Sequence, residues 1–204
     1  MQKIYFDYNA TAPLLHEIRD IVWEVMADSG NPSSVHVSGR EARQKLEEAR
    51  LSIANCIGVK VSEVIFTSGG TEANNLVVAG VSPDYVLASA IEHRSMLDVD
   101  TNLETLPVNQ QGLVDLESLE KRLAEIEGKV LVSVMLANNE TGIIQPLAEV
   151  ARVAKKYGAL VHTDAIQAFG KIEVNRRSLG VDFISLSSHK LGGLQGVGAL
   201  VINE

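Results

Sequence analysis

The sequence contains one cysteine, one tryptophan and five prolines in 204 residues, and only 4% of it is aromatic. The lone cysteine, Cys56, rules out an intrachain disulfide and fits a reducing compartment. It lies in Leu51-Ser52-Ile53-Ala54-Asn55-Cys56-Ile57, near the end of an amphipathic pattern, where a free thiol is expected to act as a small buried hydrophobe. Scarce aromatics beside abundant Gly, Ala, Val and Leu disfavour an all-β sandwich and suit close packing of helices on a sheet.

Positive charge is also short. Eighteen Lys and Arg against 26 Asp and Glu leave a formal charge of −8, which excludes a surface built for nucleic acid or an anionic membrane. No apolar run, Val130 to Ala137 included, approaches the ~20 residues of a membrane helix. Met1-Gln2-Lys3-Ile4-Tyr5-Phe6-Asp7 does not lead into a secretory signal. These absences predict a soluble, cytoplasmic chain forming one α/β domain with a sizeable core.

Apolar spacing predicts a helix over Leu14 to Asp28, with Pro13 suited to its start, and a long charged helix over Arg40 to Ile57 closed by Gly58. Ala42, Leu46, Ala49, Ile53 and Cys56 or Ile57 would form the inner face of the second helix. From Val64 the pattern turns to short β-rich runs: Val64 to Thr67, Tyr85 to Ser89, Leu103 to Val108, Val130 to Leu136, Leu160 to Thr163, Phe183 to Leu186 and Gly198 to Ile202. Helical candidates near Thr71 to Val78, Leu116 to Glu127 and Leu147 to Tyr157 separate them, as crossovers in a largely parallel sheet would.

Polar clusters fall at the ends of these runs, where open α/β sheets bind ligands: Ser68-Gly69-Gly70-Thr71, Glu92-His93, Asn138-Asn139-Glu140, Asp164 to Gln167 and Ser187 to Lys190. The first opens a helix, whose free N–H groups suit an anion; Ser68 or Thr71 as a plain helix cap is the alternative. It is no nucleotide P-loop, because the Gly-Lys-Ser/Thr ending is missing. Asp164 is either the cap of the next helix or the partner of a buried cation. His93 is either an ordinary polar residue or an acid/base group. Lys190, before Gly192-Gly193, has no evident packing purpose; desolvation there would favour imine chemistry. His162-Thr163-Asp164 invites a metal, but one cysteine and no second close histidine pair leave none expected. Taken together, a lysine amine and a buried acid read as a pyridoxal 5'-phosphate (PLP) site.

With these residues assembled, the chain resembles cysteine desulfurases of the NifS/IscS type, class V aminotransferase relatives among the fold-type I PLP enzymes. The matching stretches run through nearly the whole chain: Tyr5 to Thr11, Gly30 to His36, Ser68 to Asn75, Asn138 to Gly142, Asp164 to Gln167 and Ser187 to Lys190. The resemblance implies a fold-type I large domain, a mostly parallel seven-stranded sheet flanked by helices. It implies Lys190 as the Schiff-base lysine, Asp164 at the ring nitrogen and His93 stacked on the ring as acid/base. Asn139 and Gln167 would meet the phenolic oxygen, with Gly70, Thr71, Ser187 and His189 around the phosphate. The implied activity takes L-cysteine to L-alanine and passes sulfur through an enzyme cysteine persulfide to an acceptor such as an iron–sulfur scaffold. A homodimer is implied as well.

The pattern is not complete. In the family, a C-terminal half supplies the nucleophilic cysteine, a substrate-carboxylate arginine and a phosphate contact across the dimer. Residues 1–204 are expected to be the N-terminal segment plus the PLP-binding large domain, with the small domain absent, as in a truncation, a cleaved product or one half of a split protein. Leu194 stands where relatives usually carry proline. Selenocysteine lyase, another class V lyase or aminotransferase, and a catalytically incomplete dimerisation fragment are the competing readings.

Overall fold

Neighbouring residues of a strand face opposite sides of a sheet, so a strand buried on both faces is largely apolar and pairs the polar groups it carries. The computed structural model describes residues 4–99 and 101–203. Its strands are β1 (Val64–Thr67), β2 (Tyr85–Ser89), β3 (Leu103–Leu106), β4 (Val130–Ser133), β5 (Leu160–Asp164), β6 (Phe183–Ser187) and β7 (Gly198–Ile202). They form one seven-stranded sheet in the order β1-β7-β6-β5-β4-β2-β3. The strands from β3 across to β6 are parallel, while β7 lies antiparallel to both β6 and β1.

Every expected strand is present, and two end early. Pro107, which has no N–H to offer a ladder, follows β3. Beyond β4 the chain still runs beside β5, through bonds from Val134 N–H to His162 O and Leu136 N–H to Asp164 O.

Helices cover both faces: α1 (His16–Ala27), α2 (Val37–Ile57), α3 (Gly70–Val81), α4 (Arg94–Leu97), α5 (Leu116–Glu125), α6 (Leu147–Lys156) and α7 (Arg176–Leu179). Val86, Ala88, Leu131 and Leu200 pack with Ala73 and Val77 of α3 and Met96 of α4. The alternate residues Leu87, Val130, Val132, Ala199 and Val201 face the other core, with Leu119 and Leu123 of α5, Val150 and Ala154 of α6, and Ala54 and Ile57 of α2. Among the described residues, no helix is long and apolar enough to cross a membrane.

Three expectations fail. Of the inner face read for α2, Leu46 and Ala49 are exposed, and Ala42 and Ile53 are only half-buried. Cys56 is exposed, not buried. The buried stripe of α2 runs through Ala54 and Ile57, and Cys56 sits one residue, about 100° of helix, away from Ile57. The helix does end as read, at Gly58 with φ 75°, a left-handed cap that glycine adopts freely. The apolar period of the first helix also buries nothing: α1 begins at His16, well after Pro13, and leaves Ile21, Trp23 and Met26 exposed. Before it, Leu15 is extended and its N–H is bonded to Gly192 O, so the chain turns helical only at His16.

Candidate active site

Parallel strands point their carboxyl ends the same way, and a crevice opens where successive connections leave in opposite directions. Here that point lies between β2, which leads outward to β3, and β4, which leads to β5 and β6. A cavity of about 720 Å³ sits at this edge, lined by all nine expected site residues: Gly70, Thr71, His93, Asn139, Asp164, Gln167, Ser187, His189 and Lys190.

Asp164 ends β5 and is only 4% exposed. Its Oδ1 accepts from Ile166 N–H at 2.9 Å and its Oδ2 from Asn74 Nδ2 at 3.0 Å. Burial raises its pKa, opposed by these two bonds. No helix follows Asp164, so the cap reading fails: its bond from Ile166 N–H closes a turn, and the carboxylate lines the cavity.

Lys190 ends a single 3₁₀ turn, Ser188–Lys190, after β6. Burial, then the nearby Lys171 charge, lowers its pKa against the pull of Asp164 and Asp7, the direction that frees an amine lone pair. Its Nζ donates to the carbonyls of Asn9 at 2.5 Å and Ala10 at 2.8 Å. The N-terminal arm therefore lies across the site. Ala12 N–H bonds to His189 O, Asn9 Nδ2 to Asn139 O, and Gln167 Nε2 to Asn9 O.

Opposite, α3 starts at Gly70 after Gly69, and neither Ser68 nor Thr71 caps it through its side chain. The first-turn N–H groups of a helix have no partner within it, so they are available to an anion. A Cβ on Gly70 would come within 1.9 Å of Ile166 Cδ1, so the wall at this point is closed up tightly. Ser187, at the end of β6, and the half-buried His189 line the cavity with these groups. Burial, then Lys190, lowers the His189 pKa.

His93 precedes α4 and is exposed at the mouth, its Nδ1 accepting from Ser95 N–H at 3.1 Å. Asn139 Nδ2 donates to Glu140, and Gln167 Oε1 accepts from Lys171, so the side chains expected at a phenolic oxygen have other partners here.

Sequence reasoning gave no role to Asn74 or Ser95, and named Glu92 only as part of the Glu92-His93 cluster. Asn74 lies four residues after Gly70, the spacing that shares a helix face, and that signal was available. Glu92 is buried; its Oε1 accepts from Met135 N–H at 2.5 Å and its Oε2 has no partner. Burial, then the Asp164 charge, pushes its pKa well up.

This donor set fits PLP. A helix N-terminus and hydroxyl groups suit a phosphate, a buried carboxylate suits a cationic ring nitrogen, and a desolvated amine suits an aldehyde.

Residues 4–204 match the aminotransferase class-V family. Cysteine desulfurase IscS of Dictyoglomus turgidum is 43% identical over 217 residues, covering 100% of this chain and 55% of that protein. The X-ray structure of a NifS-like protein from Rickettsia africae superposes with a TM-score of 0.93 at 41% identity, covering 98% of this chain and 58% of that one. A structure described as SspA in complex with cysteine gives 0.91 at 30% identity, covering 98% of this chain and 61% of that one. The chain spans about half the length of the curated relatives it matches.

Proposed function

The chain belongs to the aminotransferase class-V family, and from that premise we propose that it carries the PLP site of a cysteine desulfurase. One observation supports this above the others: the amine of Lys190, the carboxylate of Asp164 and the N-terminus of α3 border one cavity.

On this reading the first turn of α3, Thr71, Ser187 and His189 would hold the phosphate, and the Asp164 carboxylate would pair with the ring nitrogen. Lys190 would supply the amine that holds the cofactor aldehyde, and the His93 imidazole at the mouth would serve as the acid/base group. Asn139 and Gln167 would donate to the phenolic oxygen once released from their present partners. PLP, when bound, supplies an electron sink for charge developing on the substrate amino acid. Desolvation favours the neutral Lys190 amine, and the arm lies over the site and accepts from that amine.

L-Cysteine is the substrate class that the named relatives support. Its C–S bond breaks, alanine leaves, and the sulfur joins a thiol to give a persulfide, which then serves an acceptor such as an iron–sulfur scaffold. Cys56, the one cysteine, is on α2 and does not line the cavity, so that thiol comes from outside these 204 residues. We read residues 1–204 as the N-terminal segment and large domain of a cytoplasmic homodimer. The single cysteine and the exposed apolar face of α1 support that placement.

The test is to add PLP to the purified chain, reduce with borohydride and locate the adduct by peptide mass spectrometry. The adduct is expected on Lys190 and absent in Lys190→Ala. A folded chain that gives no adduct would overturn the cofactor reading.

A further inference from the structure

His93 and Asp164 lie on different elements, one after β2 and one at the end of β5, yet two side chains join them. The Nδ2 of Asn74 is 3.0 Å from Asp164 Oδ2 and 2.9 Å from Ser95 Oγ. Ser95 Oγ is in turn 2.8 Å from His93 Nδ1.

The direction of each bond follows from which groups can only donate. A backbone N–H has no other role, and Ser95 N–H points at His93 Nδ1 at 3.1 Å. Nδ1 must therefore carry a lone pair, and the Ser95 hydroxyl, which meets the same nitrogen, must donate to it as well. With its hydrogen so committed, Ser95 Oγ receives one N–H of the Asn74 amide. The other N–H of that amide goes to Asp164. Turning the amide over would set its oxygen against the Asp164 carboxylate, so the orientation is fixed by charge. Asn74 is fully buried and its Oδ1 has no partner, so the amide keeps this place for the bonds its nitrogen makes.

We propose that Asn74 and Ser95 are positioning residues, forming one directed hydrogen-bond chain from Asp164 to His93 that holds the imidazole in its Nε2–H tautomer. The significance of this chain for catalysis rests on the PLP reading above. It places the only ring proton of neutral His93 on the nitrogen away from Ser95, and it makes the ring's orientation depend on the residue that would pair with the ring nitrogen of the cofactor. A loose imidazole at an exposed mouth would exchange tautomers freely; this one has two donors on a single nitrogen.

The experiment is long-range proton–nitrogen NMR on the full chain carrying ¹⁵N-histidine, without cofactor and in mildly alkaline buffer, with His93 assigned by its loss in His93→Gln. Wild type is expected to show Nδ1 bare and Nε2 protonated. Ser95→Ala should raise the Nδ1–H population severalfold, and Ser95→Thr, which keeps the hydroxyl, should restore the wild-type pattern. Asn74→Ala should move the His93 ring signals in the same direction although it does not touch His93. A wild-type ring protonated on Nδ1 would overturn the proposal with no variant needed, and so would wild-type signals in a folded Ser95→Ala. Because no cofactor is present, these outcomes are independent of borohydride trapping on Lys190: absence of the adduct with the tautomer confirmed removes the PLP reading alone.

Discussion

His162 and Asp164 stand two residues apart on β5, so their side chains share one face of the sheet, and both are buried. Only Asp164 reaches the cavity. His162 is closed in between neighbouring strands, with Nδ1 2.9 Å from Ser133 Oγ on β4 and Nε2 2.9 Å from Ser185 Oγ on β6. One strand thus presents a chemical group at its end and a structural one beneath it.

This burial makes His162 acid-sensitive. Its folded pKa is lowered from 6.5 to about 3 by desolvation. The unfolded chain takes up a proton below about 6.5 while the folded chain does not, so the stability from His162 is complete above that pH. It is lost as pH falls toward about 3, at up to ~1.4 kcal/mol per pH unit. Urea midpoints of wild type and His162→Gln should therefore converge from neutral pH to about pH 5. A constant difference across that window would refute the assignment.

Glu92 works with the opposite sign. Burial and Asp164 raise its folded pKa, so ionised Glu92 costs stability as pH rises through that value. Glu92→Gln keeps the acceptor for Met135 N–H, puts a donor in place of the unpartnered Oε2 and removes one of two buried charges. It should raise stability by ~1–2 kcal/mol at mildly alkaline pH and by less in acid. A lower urea midpoint at alkaline pH would show that the charge is needed.

Asp164→Asn should weaken PLP retention by about tenfold or more, the loss expected when a charge-assisted hydrogen bond of ~1.5–3 kcal/mol becomes neutral. Spectroscopic titration with PLP checks this, and retention equal to wild type would remove Asp164 from the ring nitrogen.

The exposed side chains of α1 and the arm, among them Phe6, Trp23 and Met26, form apolar surface on a helix with no buried residue. The chain should bind a hydrophobic dye or self-associate with concentration, and Trp23→Glu should reduce either effect severalfold. Sedimentation and dye fluorescence that Trp23→Glu leaves unchanged would place the sticky surface elsewhere.

The strands were legible because branched residues in short runs leave few alternatives, and the site because its polar clusters interrupt those runs at one edge. What sequence could not show was which apolar stripe finds a partner. Both α1 and α6 carry apolar residues at helical spacing, yet Val150 and Ala154 meet the sheet and Ile21 and Trp23 do not. The displacement of Cys56 by one residue from the buried stripe of α2 is a matter of helix rotation, which tertiary contacts fix. The link through Asn74 and Ser95 depends on three elements meeting in space, and no spacing along the chain encodes that.

The position of β1 has a consequence for the order of assembly. Among the described residues β1 is an edge strand paired with β7 alone, and Asn9 and Ala10 of the arm bond to Lys190 across 180 or more residues of sequence. Strands β2 to β6 can pair with one another as they leave the ribosome, but β1 waits for β7. The lysine pocket, closed by the arm, is accordingly a late product of folding: the arm waits for Lys190, and β1 stays without its strand partner until Val201 has been synthesised.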